Sequence, residues 1–168
     1  GGHIVNIASM SSFIPGGASG IYTTSKFAVR GLSECLRYAL APHRIGVSLV
    51  CPGLTKTRIF EAPLARPERL ANTAFPVSRE SLQRLEAIHA TGMDPDQVAQ
   101  RTLAGVVENA FYIFPHSEFK DEVRADCEEI LRAFTDEAAD PRRMTIEAAR
   151  RRARQSAQQA VEELRKAL

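Results

Sequence analysis

Three side chains near the start of the sequence have the types and spacing needed for proton transfer to an oxygen atom. Tyr22 and Lys26 are four residues apart, and Ser9 lies thirteen residues before the tyrosine. Positions i and i+4 share one face of a helix, so the lysine ammonium can favour the ionised phenol, whose ordinary pKa is about 10. The Ser9 hydroxyl, arriving from a separate element, can hold a carbonyl or alcohol oxygen against that phenol. This trio predicts an oxidoreductase site.

The surrounding sequence predicts elements that would bring these side chains together. An apolar run at residues 4–9 is typical of a buried strand, residues 11–21 form a loop of small residues, and residues 22–41 have the periodicity of a helix. In α/β proteins this order places side chains at the carboxyl end of a sheet. A Tyr-x-x-x-Lys pair by itself is also common on amphipathic helices, so the context is what favours a site.

The rest of the chain alternates apolar runs with helical patterns. The further elements expected are strands at 45–51 and 111–114 and helices at 94–110, 119–134 and from 141 onward. Short, nearly continuous apolar strands suit a parallel sheet that is covered on both faces. We therefore predict an α/β fold with about three parallel strands, in which residues 1–115 form the sheet domain and residues 116–168 a helical extension.

Three motifs in this order resemble the second half of a short-chain dehydrogenase/reductase with a Rossmann-type fold. They are IVNIAS at residues 4–9, YTTSKFA at 22–28 and VCPGLTKT at 50–57. The resemblance implies the carboxyl-terminal half of a doubly wound parallel sheet, in which residues 54–92 are a substrate-binding insertion. It is carried by residues 1–60, and the sequence after His116 has less in common with the family.

The resemblance also implies a role for each matching residue. Tyr22 would be the general acid/base, Lys26 would hold the nicotinamide ribose and lower the pKa of the tyrosine, and Ser9 would position the substrate oxygen. The resemblance implies that Tyr22 and Lys26 also contact the cofactor, and that Pro52, Gly53, Thr55 and Thr57 contact the nicotinamide end of NAD or NADP. Two further candidates for contact with substrate are Ser11 and Leu54.

The function implied is that of an NAD(P)-dependent alcohol dehydrogenase or ketone reductase. Its substrate would be a small alcohol or ketone, and the parent protein would be a dimer or a tetramer. The apolar side chains in the insertion are compatible with a hydrophobic substrate and equally with ordinary packing. These side chains are Leu54, Phe60, Leu64, Leu70 and Phe75. A catalytically silent binding or interaction protein would share every residue of the motifs. Acyl transfer by Ser9 has little support, because no histidine stands in a recognisable triad context.

Some features of the family are absent from this sequence. The glycine-rich phosphate loop should lie between the first strand and the first helix, whereas Gly16, Gly17 and Gly20 lie between the serine strand and the tyrosine helix. The relay asparagine of the preceding helix has no counterpart, and the chain begins without methionine. We therefore expect a carboxyl-terminal piece of a longer enzyme that holds only the nicotinamide half of the site.

Composition excludes several other classes of protein. Hydrophobic and charged fractions of 44% and 25% are ordinary for a soluble globular domain, and a formal charge of +2 does not favour nucleic acid or membrane as a partner. Three widely spaced cysteines and four scattered histidines give no metal-ligand pattern and favour a reducing compartment, the cytoplasm. The arginines at 150–154 are interpreted as a solvated helix face rather than a nucleic-acid surface, because no aromatic residues alternate with them and glutamates balance their charge. The Ala-rich seam of the same helix could instead dock on a partner subunit.

Overall fold

A three-stranded parallel sheet forms the centre of the first of two compact units. The computed structural model describes residues 1–70 and 78–167. The strands are β1 (Gly2–Ile7), β2 (Ile45–Val50) and β3 (Tyr112–Ile113), in the spatial order β1-β2-β3. β1 pairs with β2 over its whole length, whereas β3 pairs only with the last two residues of β2. The parallel α/β sheet expected from the sequence is confirmed.

The core of this unit forms where α1 (Gly20–Leu40) covers β2. Leu49 of β2 is fully buried and Val47 is nearly so, and Val29 and Leu36 of α1 pack against the same cluster. The continuous apolar run of β2 is explained by burial on both faces, which leaves no solvent-facing position for a charged residue. The helix is thereby held against the strand that precedes the Pro52 motif.

Ser48 of β2 links β1 to the segment that precedes β3 through two side-chain hydrogen bonds. The Ser48 hydroxyl donates a hydrogen bond of 2.6 Å to the Ala110 carbonyl, so it accepts the 2.8 Å bond from Nε2 of His3. Burial lowers the pKa of His3, which keeps the imidazole neutral in this contact. Gly46 leaves room for the ring, because a Cβ there would lie 2.5 Å from Nδ1 of His3.

The carboxyl-terminal part of the chain is helical. Its helices are α3 (Pro95–Val107), α4 (Lys120–Arg132) and α5 (Pro141–Ala167). Val161 and Leu164 of α5 are buried against Ala41, so the end of the tail packs within the first unit. The apolar stripe expected on α4 is only partly packed: Val123 reaches the core, whereas the side chain of Leu131 is 68% exposed.

The second unit comprises residues 53–100. It contains 3-10 segments at Ile59–Ala65 and Glu68–Leu70, followed by α2 (Arg79–Ala90). The rings of Phe60 and His89 lie 5.5 Å apart and join the first of these segments to α2. Part of the expected insertion, including Phe75, lies outside the described residues.

Element boundaries differ from the sequence expectation by a few residues. β1 ends at Ile7, because Ser9 already begins a 3-10 turn at Met10–Ser12. β3 is two residues long rather than four, and it follows Asn109, whose φ of 50° lies in the left-handed region that asparagine tolerates. α1 begins two residues earlier than expected, at Gly20.

The free edge of β1 carries exposed apolar side chains. Val5 is 40% exposed and Ile7 is 64% exposed on this edge strand. Because an apolar strand with unpaired backbone groups is a template for association, we expect the 168-residue chain produced alone to self-associate, as measured by light scattering after size-exclusion chromatography. Val5→Lys should reduce the association, and Val107→Lys, also at an exposed valine but on α3, should not. A monodisperse monomer that melts cooperatively would contradict the prediction.

Candidate active site

Ser9 lies directly after β1, at the carboxyl end of the sheet. Its side-chain oxygen accepts a hydrogen bond of 3.1 Å from the Ser11 backbone N–H and caps the 3-10 turn that follows. The backbone N–H of Met10 donates to the Pro52 carbonyl at 2.9 Å. The turn that carries Ser9 and Ser11 is therefore tied to the segment that follows β2, so two of the three sequence motifs meet at this end of the sheet.

Lys26 links the tyrosine helix to the end of β1. Its ammonium nitrogen lies 5.6 Å from the centroid of the Tyr22 ring and donates to the Ile7 carbonyl at 3.4 Å. Ile7 is two residues before Ser9. The lysine is partly buried, and the Tyr22 side chain is 45% exposed, which leaves it accessible to a ligand. The ammonium thus lies against the phenol ring, as the i, i+4 spacing predicted.

Two further contacts fix α1 relative to the serine strand. The Asn6 amide donates to the Ser33 hydroxyl at 2.9 Å, and Ser33 donates in turn to the Val29 carbonyl. Arg30 donates to the Ser12 carbonyl at 3.2 Å and lies 4.0 Å from the centroid of the Phe13 ring. These contacts position Tyr22 and Lys26 through the rest of their helix. No local pattern in the sequence predicts these contacts.

Cys51 lies beside this site but lacks the properties of a nucleophile. The residue is fully buried, and burial raises the pKa of its thiol to about 11. A thiol with this pKa is protonated at neutral pH, whereas the thiolate is the reactive form. All three cysteines are unpaired. The thiol next to Pro52 is therefore a packing group.

The remaining cofactor-facing candidates lie in the second unit. Thr55 forms a parallel bridge with Met93, and its hydroxyl donates to the Gly53 carbonyl at 3.3 Å. The Thr57 hydroxyl accepts a long bond of 3.5 Å from the Ile59 N–H. Leu54 accepts a backbone bond of 3.0 Å from Met93 through its carbonyl, and its side chain is 36% exposed.

Gly92 has a structural role in this segment that the sequence analysis missed. A Cβ at this position would lie 2.6 Å from the carbonyl carbon of Thr55, a backbone atom that cannot move aside alone. Glycine therefore permits the close pairing of residues 54–56 with Met93. The sequence signal was ambiguous, since a glycine just after a helix is usually explained as its C-terminal stop.

Potential metal ligands are scattered over the described residues. Within residues 1–70 and 78–167, no three histidine, cysteine or acidic side chains are grouped so that they could hold a metal ion.

Over the same residues, no helix has the length and apolar character required to cross a membrane. The side chains available at the sheet end are hydroxyls, a phenol and an ammonium.

The sheet order, the serine turn and the tyrosine helix together define an α/β protein of the Rossmann type. Residues 1–67 match the family model described as short chain dehydrogenase. The chain belongs to the short-chain dehydrogenase/reductase family, and it matches part of the length of these proteins.

Similar proteins agree with this assignment. A C alpha-dehydrogenase of Sphingobium sp. (strain NBRC 103272 / SYK-6) is 32% identical over 140 residues, which are 83% of this chain and 46% of that protein. A structure assigned to a short-chain dehydrogenase from Novosphingobium aromaticivorans is 34% identical, with a TM-score of 0.71 over 95% of this chain and 49% of that one.

A third similar protein was solved with a cofactor. This short-chain dehydrogenase/reductase from Burkholderia phymatum, in complex with NAD, is 33% identical, with a TM-score of 0.68 over 82% of this chain and 52% of that one. The chain thus spans about half the length of the proteins that it matches.

Proposed function

We propose that this chain carries the proton-transfer and nicotinamide-facing half of an NAD(P)-dependent site that interconverts an alcohol and a ketone. The observation that carries the proposal is the position of Lys26, whose ammonium contacts both the Tyr22 ring and the carbonyl of Ile7 near Ser9. The dehydrogenases among the similar proteins, one of them solved with NAD, support the same reaction class. A complete dinucleotide site would also require a phosphate-binding loop.

The side chains present fit a nicotinamide nucleotide at this end of the sheet. An ammonium and several hydroxyls are the donors that ribose hydroxyls and a carboxamide require. When bound, the nicotinamide supplies or accepts the hydride, which is the difficult chemistry of the reaction. Lys26 would hold the ribose, and Thr55 and Thr57, with Pro52 and Gly53, would contact the nicotinamide end.

The chain's own residues would transfer the proton and bind the substrate oxygen. In the reductive direction, Tyr22 donates its phenolic proton to the carbonyl oxygen as that oxygen becomes an alcohol. Ser9 donates a second hydrogen bond to the same oxygen and stabilises its developing negative charge. The positive charge of Lys26 stabilises the phenolate that remains on Tyr22. In the oxidative direction the same groups act in reverse, with Tyr22 as the base.

A nearby cavity supports an apolar substrate. It has a volume of about 380 Å³ and lies beside Met10, the residue after Ser9. Its walls are largely apolar and include Phe114, Phe119 and Val123. A pocket of this size can enclose an aryl or alkyl group while the oxygen is held at Ser9. We therefore propose a hydrophobic alcohol or ketone as substrate.

The alternative is a catalytically silent member of the family that binds a ligand without turnover. Absorbance of the reduced cofactor distinguishes the two, using the natural protein with NADH or NADPH and a set of aryl and alkyl ketones. Saturable, ketone-dependent oxidation of the cofactor supports the enzyme. Cofactor binding without oxidation, with every ketone tested, would favour the silent protein.

A further inference from the structure

A second cavity lies further along α1 than the proposed catalytic residues and is lined by side chains from three elements, two of which contribute charged groups. It has a volume of about 280 Å³ and lies where α1, β3 and α5 meet. α1 contributes Arg30, Glu34 and Arg37, and α5 contributes Arg154. Three guanidinium groups thus converge with a single carboxylate, which leaves two positive charges in excess at the cavity.

The carboxylate is already engaged by its neighbours. One oxygen of Glu34 accepts hydrogen bonds from Arg30 at 2.9 Å and from the Tyr112 hydroxyl at 2.6 Å. Burial alone would raise the pKa of Glu34, but these two bonds and the charges of Arg30 and Arg154 outweigh it and lower that pKa. Burial and the bond to Glu34 raise the pKa of Tyr112 to about 12, so the phenol remains a donor. Glu34 is therefore ionised, and both Tyr112 and Arg30 are bonded to it.

Arg37 and Arg154 remain without a carboxylate of their own. Neither forms an ion pair or a hydrogen bond with any residue that the structure describes. The guanidinium carbon of Arg37 lies 4.8 Å from the centroid of the Phe111 ring. This contact orients the guanidinium group and uses none of its N–H donors. The N–H donors of both arginines therefore line one small cavity without an acceptor from the described residues.

Convergent positive charges destabilise a fold unless an anion compensates them. Arginine is the side chain best suited to bind the oxygens of a phosphate or a carboxylate in pairs. At about 280 Å³ the cavity is at the lower limit for a drug-sized ligand, so it can hold a small oxyanion or the acidic end of a small metabolite. The geometry points to a binding site for a phosphate or carboxylate group, held by Arg37 and Arg154 between α1 and α5.

This site also explains part of the arginine cluster that the sequence presents at 150–154. Arg150 pairs with Glu147 at 2.8 Å on the exposed surface, as expected for a solvated face. Arg154, one turn further along α5, instead lines the cavity and contributes charge at Glu34. A bound anion would therefore join the tail helix to α1. The inference does not depend on the proposed oxidoreductase activity.

The test measures binding of inorganic phosphate and of malonate to the natural protein by calorimetry, with chloride at equal ionic strength as the reference. We expect saturable binding of at least one of the two, and the stronger of them identifies the acidic group that is preferred. Arg37→Gln and Arg154→Gln should each weaken it by about tenfold or more. Arg152→Gln, which removes an equal charge from α5 outside the cavity lining, should leave the affinity unchanged.

A Glu34→Gln variant distinguishes an anion-binding site from the alternative that Arg154 only holds α5 in place. If the cavity binds anions, loss of its only carboxylate should tighten binding several-fold, an effect that a poorly folded variant would not produce. If Arg154 serves only to hold α5 near Glu34, the variant should loosen the tail without any gain in affinity. The proposal is overturned by no saturable binding to the wild-type protein, by an equal loss in Arg152→Gln, or by unchanged or weaker binding in Glu34→Gln.

Discussion

Replacing Tyr22 with phenylalanine should lower kcat for ketone reduction by about a hundredfold or more, the usual contribution of a general acid or base. The ring, and with it the contact to the Lys26 ammonium at 5.6 Å, is retained in this variant. The phenolic hydroxyl, and with it the transferable proton, is the only group lost. Because that proton is needed in the chemical step rather than in cofactor binding, KM for NADH or NADPH should change little. Steady-state kinetics of the purified natural protein give both constants.

Tyr38→Phe provides the matched control for this measurement. Tyr38 lies on the same helix, and its hydroxyl forms no hydrogen bond with the residues that the structure describes. The control should therefore retain wild-type kcat. If Tyr22→Phe were as active as Tyr38→Phe, the phenol would not carry the proton, and the catalytic assignment would be wrong.

Replacing Lys26 with methionine should reduce kcat/KM for the cofactor by about a hundredfold or more, an effect typical of the loss of one electrostatic contact in a catalytic site. Unlike Tyr22→Phe, this change should affect both constants. KM for the cofactor should rise because the ribose loses its donor, and kcat should fall because the phenolate loses its neighbouring positive charge. Methionine keeps a similar length and retains the packing of the stem against α1.

Lys166→Met removes the same charge near the end of α5 and serves as the control, with unchanged kinetics expected. The hydrogen bond from Lys26 to the Ile7 carbonyl gives a second readout. Its loss should lower the thermal stability only slightly, because the lysine is partly exposed and the bond is long. A variant that binds the cofactor as tightly as the wild-type protein would exclude Lys26 from the ribose site.

Several elements were predictable because their signals are local. The run from Ile45 to Cys51 has apolar or small side chains throughout, and β2 occupies nearly this range with both faces covered. Asp94 followed by Pro95 predicted a helix start, and the Asp94 carboxylate accepts a bond of 2.9 Å from the Asp96 N–H. The four-residue spacing of Tyr22 and Lys26 likewise placed both on one helical face. Each of these predictions depends only on residues that are close together in the sequence.

Other outcomes were not predictable from such patterns. The ends of β1 and β3 depend on where pairing with β2 stops, and no local residue type marks that point. The support of α1 by the Asn6–Ser33 hydrogen bond joins residues that are distant in sequence. The requirement for glycine at position 92 arises from the approach of another backbone segment. Periodicity carries no information about such approaches.

The sequence alone therefore determined the elements, their order and the family to which the chain belongs, since propensity, periodicity and motif spacing are properties of neighbouring residues. Only the tertiary structure decided which side chains from distant elements meet. The clearest example is the cavity in which Arg37 and Arg154 converge, more than a hundred positions apart in the chain. Their meeting depends on how α5 packs against α1 through Val161 and Leu164. Burial of those apolar side chains, and not any pattern around the arginines, brings the two charges together.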